Sequence, residues 1–137
     1  MPSGGDWALY KGAAVHIQGA RDVLVANCTF ARLDGNALML SGFTRDVRVA
    51  RNEFVWLGDG AMATWGDTDD WDATAGNQPR HTIVEENFVH EIGLYQKQSS
   101  GWGQAKASQS VIRNNIMFNV PRSTAVLVCT EPGDECC

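Results

Sequence analysis

The stretch DVRVARNEFVWLG, residues 46–58, has three relatives elsewhere in the chain: DVLVANCTFARLD (22–34), HTIVEENFVHEIG (81–93) and QSVIRNNIMFNVP (109–121). Placed under one another, they agree column by column. Val25, Val49, Val84 and Ile112 share the first column, and Cys28, Asn52, Asn87 and Asn115 stand three residues on. Phe30, Phe54, Val89 and Met117 follow two later, and Leu33, Leu57, Ile92 and Val120 three beyond that. In the first column the copies are spaced by 24, 35 and 28 residues, which a 24-residue unit with insertions in two turns explains. Self-similarity of this kind is the signature of a repeat architecture.

Each unit carries a second short segment upstream: AVHIQG (14–19), ALMLSG (37–42) and AMATWG (61–66). These alternate with period two and end at glycine, as a short strand before a turn does. No stretch has helical periodicity. Several short strands per unit predict an all-β solenoid of stacked coils. In such a stack each residue lies over its equivalent, about 4.8 Å away along the axis. Stacked asparagines can pass amide hydrogen bonds up the column, and asparagine tolerates the left-handed backbone of a tight bend. Asn52, Asn87 and Asn115 are therefore read as structural, and the aliphatic columns as core.

Bulk properties exclude several classes. The 137 residues are one domain's worth, 44 % hydrophobic and 20 % charged, which argues against disorder. A net charge of -5 speaks against a nucleic-acid partner. No apolar run approaches the ~20 residues of a membrane span. The opening MPSGGDWALY lacks a basic region followed by an apolar core, so no secretion signal is expected in the chain as written, and its location stays open. Cys28 sits inside a patterned segment, where it is expected as a small buried residue. Cys129, Cys136 and Cys137 show no metal or redox spacing.

The pattern V-x-x-N-x-F followed by L/I-G, with alternating strands between, resembles the right-handed parallel β-helix repeats of the pectate-lyase-like superfamily. The resemblance covers residues 14–123. The run 79–122 is especially similar to a group of much longer β-helix proteins, many of them uncharacterised or assigned to polysaccharide breakdown by analogy. It implies about four coils plus a partial one, and a superfamily of extracellular lyases, glycoside hydrolases and non-catalytic scaffolds. Fold carries over from such a likeness more safely than function does. After Arg122 the chain departs from the pattern with STAVLVCTEPGDECC, of which Thr124–Val128 suits one more strand. The layout expected is a lead-in or cap over 1–13, with Trp7, Leu9 and Tyr10 on the first coil, repeats over 14–128, and an irregular tail over 129–137. The chain then reads as a piece of a longer β-helix whose uncapped ends favour self-association.

One insertion stands out. WGDTDDWD, residues 65–72, packs four aspartates and two tryptophans into eight residues. It opens the insertion 67–80, and insertions in solenoids often build the binding face. Three readings are open: a calcium site at Asp67, Asp69, Asp70 and Asp72, a solvated loop, or a sugar contact through Trp65 and Trp71. The EF-hand spacing fails, because Asp72 stands where glycine is required and Gln78 where glutamate is. Strand alternation adds that if Val15, Ile17, Leu38, Leu40 and Met62 point inward, His16, Gln18, Met39, Ser41, Ala63 and Trp65 point outward. Extending the register to the fourth coil sets Trp102 beside Ala63 and Gln104 beside Trp65. His16, Gln18, Trp65, Trp102 and Gln104, with Trp71 at the rim, then suit a polysaccharide groove. The alternative for Trp65 is packing under its own loop.

Catalytic candidates are weaker. Lys97 or Lys106 could serve as a lyase base if burial or a neighbouring cation lowered its pKa. Asp59 could pair with a loop residue such as Asp70 as a glycosidase acid and base, given carboxyls about 5–9.5 Å apart. His81 and His90 have no ligand spacing. The expected function is a carbohydrate-active or glycan-binding repeat domain; the alternative is a non-catalytic scaffold that contacts protein.

Overall fold

The computed structural model describes residues 10–68 and 72–128. Among these there is no helix, and the strands form three parallel sheets. The first sheet holds β1 (Val15–Arg21), β4 (Leu38–Arg45), β7 (Met62–Trp65), β11 (Ser100–Ala105) and β14 (Ser123–Val128), with β8 (Pro79–Arg80) also paired to β4. The second holds β2 (Leu24–Ala26), β5 (Arg48–Ala50), β9 (Ile83–Glu85) and β12 (Val111–Arg113). The third holds β3 (Thr29–Leu33), β6 (Glu53–Leu57), β10 (Phe88–His90) and β13 (Ile116–Phe118). The chain thus visits the three sheets in rotation, and each repeat lays one strand on each.

Registers follow the columns of the sequence. Val49 pairs with Val25 on one side and Val84 on the other, and Val84 with Ile112. Phe54 lies between Phe30 and Val89, and Val89 pairs with Met117. Leu38, Leu40, Val49, Phe54, Leu57, Met62, Val84 and Val89 form one buried cluster. Stacking also orders the aromatic rings: Phe30 and Phe54 lie 4.7 Å apart with planes 4° from parallel. The columns lose cover at the ends of the stack. Val84 is fully buried, but Ile112, its equivalent on β12, is 37 % exposed. Cys28 is exposed rather than buried for the same reason, since it belongs to the first repeat.

The asparagine column is a hydrogen-bonded ladder. Cys28 N donates to Asn52 Oδ1 at 3.0 Å, Asn52 N and Nδ2 both donate to Asn87 Oδ1 at 3.0 Å, and Asn87 N and Nδ2 donate to Asn115 Oδ1 at 2.9 and 3.0 Å. Each amide nitrogen also donates to a carbonyl one repeat back: Asn52 to Val25 O, Asn87 to Val49 O and Asn115 to Val84 O, all at 2.9 Å. The left-handed residue is not the asparagine, as expected from sequence, but the residue before it. Asn27, Arg51, Glu86 and Asn114 have φ of 56°, 55°, 56° and 55°. The bend turns on that residue, and the asparagine closes the polar groups the bend frees. Left-handed backbone costs an ordinary side chain about 1–2 kcal/mol, and at this corner the ladder's hydrogen bonds offset it.

Two further features bear on the sites below. The lead-in is fastened by Asn36, whose Nδ2 donates to Tyr10 O at 2.9 Å and Gly12 O at 3.0 Å; Trp7 and Leu9 lie outside the described residues. On the second sheet Glu85 is buried between Arg48 and Arg113, with Arg113 Nε donating to its Oε2 at 2.7 Å. That hydrogen bond, ahead of the opposing effect of burial, holds the Glu85 carboxyl below the usual glutamate range.

Two predictions follow from this packing. Asn87→Ala should lower stability by about 2–4 kcal/mol in urea unfolding, because it strands the buried Asn52 N–H and removes three further bonds. A loss below about 1 kcal/mol would mean the ladder is ornamental. The folded Glu85 pKa lies below its unfolded value, so its contribution is complete above the unfolded pKa and is lost as pH falls through the folded one. Melting temperature should therefore decline on acidification below the ordinary glutamate range, and Glu85→Gln should flatten that decline.

Candidate functional site

The outward face of the first sheet gathers the polar groups that the loop and lead-in supply. Its two adjacent outward columns are His16, Met39, Ala63, Gly103 and Gln18, Ser41, Trp65, Ala105. His16 Nε2 is hydrogen-bonded to Ser41 Oγ at 2.6 Å. Gln18 Nε2 donates to Asp67 Oδ2 at 3.3 Å, and Lys11 pairs with Asp67 Oδ1. The Lys11 ammonium also stands 5.9 Å from the centroid of the Trp65 ring. His16, Gln18 and Asp67 are exposed and Trp65 is half-buried, whereas Ser41, Met39 and Ala63 are buried. The open part of the face is therefore the His16–Gln18–Trp65–Asp67 quarter.

The insertion is pinned where it leaves and returns. A Cβ on Gly66 would meet Lys106 O at 2.2 Å and Gln78 Cβ at 2.8 Å, so only glycine lets the two ends close. Asp67 N donates to Asn77 O at 2.7 Å, and Lys106 Nζ donates to Thr68 O at 2.8 Å. Asp72 accepts from both Thr74 N and Thr74 Oγ1, at 2.9 and 2.6 Å, and these bonds hold its carboxyl below the usual aspartate range. Asp69, Asp70 and Trp71 lie outside the described residues. Among the described residues no group of three or more metal-binding side chains comes together.

The expected placement of Trp102 and Gln104 needs correction by one residue. Trp102 pairs with Met62 and Gln104 with Thr64, so both stand in inward columns, and Gly103 and Ala105 take the outward places. Trp102 is fully buried. The cause is simple arithmetic of burial. An outward Trp102 would leave Gly101, Gly103 and Ala105 to fill the core, and a buried tryptophan is worth about 4–6 kcal/mol at ~25 cal/mol/Å². A one-residue shift flips every side chain of a strand. The buried indole then needs an acceptor, and Gln104 Oε1 supplies it at 3.3 Å.

The other candidates are tied elsewhere. Asp59 is buried; its Oδ1 accepts from Gly60 N at 2.9 Å and Ser99 Oγ at 2.6 Å, which fastens the turn before β11. Its carboxylate faces Ser99 rather than the insertion. Lys97 Nζ donates to Gly93 O at 2.9 Å within the same turn. His90 lies 3.4 Å from Glu53 on the third sheet, stacked on Phe118, and His81 lies 3.3 Å from Asp46. Lys11 was missed from sequence because it belongs to no repeat column. Comparison of the chain with protein families, with curated proteins and with solved structures finds no match.

The register makes a contrast that unfolding can read. Trp102→Ala should cost about 3–5 kcal/mol, the range of a fully buried aromatic. Asp67→Asn should cost no more than about 1 kcal/mol, because it breaks only an exposed ion pair. Comparable losses from the two would place Trp102 at the surface.

Proposed function

We propose that the chain forms four coils and part of a fifth of a right-handed parallel β-helix of the pectate-lyase-like kind, and that the open quarter of its first sheet contacts a glycan without cleaving it. The rotation of the chain through three parallel sheets, with side chains in register, supports the fold part of this reading.

One observation carries the functional part. A half-buried tryptophan, an amide and an imidazole stand on two neighbouring columns of a flat sheet, and the exposed carboxylate of Asp67 reaches them from the insertion. Aromatic rings pack on the apolar faces of sugars, and carboxylates and amides take their hydroxyls. Cleavage is disfavoured by the same surface. The outward columns of β1, β4, β7 and β11 carry no carboxylate, and among the described residues the carboxylate that reaches them, Asp67, already serves Lys11 and Gln18. Hydrolysis of a glycosidic bond needs a pair of carboxyls.

The test is a glycan array with wild type, Trp65→Ala and Gln18→Ala, alongside assays for new reducing ends and for unsaturated products. Binding by wild type that weakens about tenfold in each variant, roughly 1.4 kcal/mol, with little change in melting temperature, is the expected result. A blank array for wild type would sink the glycan reading, and turnover of any bound glycan would replace binding with catalysis. Melting with calcium and with chelator separates the cation reading of the loop. A calcium-dependent rise, lost when Asp67, Asp69, Asp70 and Asp72 are all changed to Asn, would reassign the loop to a metal. Light scattering on the same samples reads self-association through the exposed end at Ile112.

A further inference from the structure

Beyond the outward quarter just described, the same sheet carries a second concentration of charge. β4 contains one residue more than β1 between paired positions: Gln18 pairs with Ser41, but Ala20 pairs with Thr44. The extra residue forms a bulge at Gly42, whose φ is 52°. Past the bulge Thr44 is buried, and Arg21 pairs with Arg45, which pairs in turn with Arg80. Three guanidinium-bearing residues therefore occupy one column at strand spacing, about 4.8 Å per step.

Among the described residues no ion pair ties this column: the pairs involve Lys11, Arg48, Arg51, Arg113, His81 and His90, and none involves Arg21, Arg45 or Arg80. The carboxylate of Asp46, the next residue, acts on Arg45 in the opposite sense and already faces His81 at 3.3 Å. The contrast with the second sheet is direct, since there Arg48 and Arg113 share the buried Glu85. In a chain of net charge -5, three of its 11 lysines and arginines stand in one unpaired row.

Their donors are unevenly used. Arg45 is committed: it donates to Gly76 O at 2.7 Å and to Thr44 O at 2.8 Å, and it holds Gln78 O, so it clamps the return of the insertion. Its plane lies over Phe43, 4.4 Å from the centroid, and Arg21 stands over the same ring at 5.7 Å. Among the described residues the Arg21 guanidinium has no hydrogen-bond partner. Arg80 has its Nε buried without a hydrogen-bond partner. Burial, then the charges of Arg80 and Arg21, hold Arg45 below the usual arginine range. A buried donor without an acceptor, set in a row of like charges, is a cost that a bound anion removes.

We infer that the Arg21–Arg45–Arg80 column, with Phe43 as its floor, is a binding site for a doubly charged tetrahedral oxyanion group, sulfate or phosphate. Two negative charges match a row of three cations better than one carboxylate does. Guanidinium forks meet such oxygens two at a time. Arg45 supplies charge and position, and Arg21 and Arg80 supply the free donors. The site is independent of the glycan reading, because no residue of the His16–Gln18–Trp65–Asp67 quarter belongs to it.

The experiment titrates the whole chain with inorganic sulfate and inorganic phosphate at low millimolar concentration, with acetate and chloride at matched ionic strength. Binding is read by calorimetry and by melting temperature. Wild type should show saturable binding of sulfate or phosphate, and neither acetate nor chloride should substitute. Arg21→Gln and Arg80→Gln should each weaken it about ten- to a hundredfold, the effect of losing one charged hydrogen bond. Arg122→Gln, an exposed arginine outside the column, should not. In chloride alone Arg21→Gln should melt no lower than wild type, since it relieves repulsion; a purely structural arginine would melt lower in every salt. The inference is overturned if the oxyanions raise the melting temperature of wild type and Arg80→Gln equally, which is solute exclusion. It is also overturned if no saturable binding appears, or if Arg122→Gln loses as much as the column variants. The arms separate the sources: a preference for phosphate that fades as pH falls through its second ionisation marks a phosphate site, and an unchanged affinity for sulfate across that range marks a sulfate site.

Discussion

The architecture rests on one amide ladder. Asn52, Asn87 and Asn115 each accept from the backbone and side chain of the repeat before, or from the backbone alone at Cys28, and each returns a bond to a carbonyl of that repeat. This couples neighbouring repeats at the corner of Asn27, Arg51, Glu86 and Asn114, one of several where left-handed residues recur in each repeat. Once that corner is fixed, the aliphatic and aromatic columns on either side fall into register, and the core follows. Parallel strands buried against one another gain from side-chain stacking only if the register is held, and Phe30 over Phe54 is its visible result.

The surface inherits the same repetition. A column on the inside is a row of core residues, and on the outside it is a row of whatever the sequence places there. Where opposite signs meet in a row, as in Glu85 and Arg113, stacking gives an ion pair, which Arg48 joins from the neighbouring strand around the buried Glu85 carboxylate. Where it repeats one sign, as in Arg21, Arg45 and Arg80, stacking concentrates charge that the chain itself leaves unpaired. Where neighbouring rows bring amide, ring and imidazole together, stacking makes a flat, polar surface of the kind that suits an extended ligand. The three outcomes come from one geometric rule acting on different residues. The bulge at Gly42 decides which of them a given stretch of β4 presents, because it resets the alternation between Ser41 and Arg45.

Positions in the insertion show how local ties shape the candidate site. Gly66 lets the ends close, Asp67 is held by Lys11 and Gln18, and Asp72 turns back on Thr74. Acidic residues close in sequence are thereby spent on separate partners. Asp59 shows the same economy inside the fold, where it anchors Ser99 before β11.

The sequence by itself determined the repeat, its columns and the strand content, because side chains that must stack every 24 or so residues leave a period that can be read directly. It also placed His16, Gln18 and Trp65 together on one face, since alternation within a strand is local. It misplaced Trp102 and Gln104 because the turn of residues 93–99 has no counterpart in the other repeats, so the count across it was free to slip by one; burial of the indole settled it. The left-handed residue of each corner, the reach of Lys11 to Asp67, and the row of Arg21, Arg45 and Arg80 across the bulge were decided only by the tertiary structure. These depend on backbone torsions and on contacts between segments 24 to 56 residues apart, which no local pattern encodes.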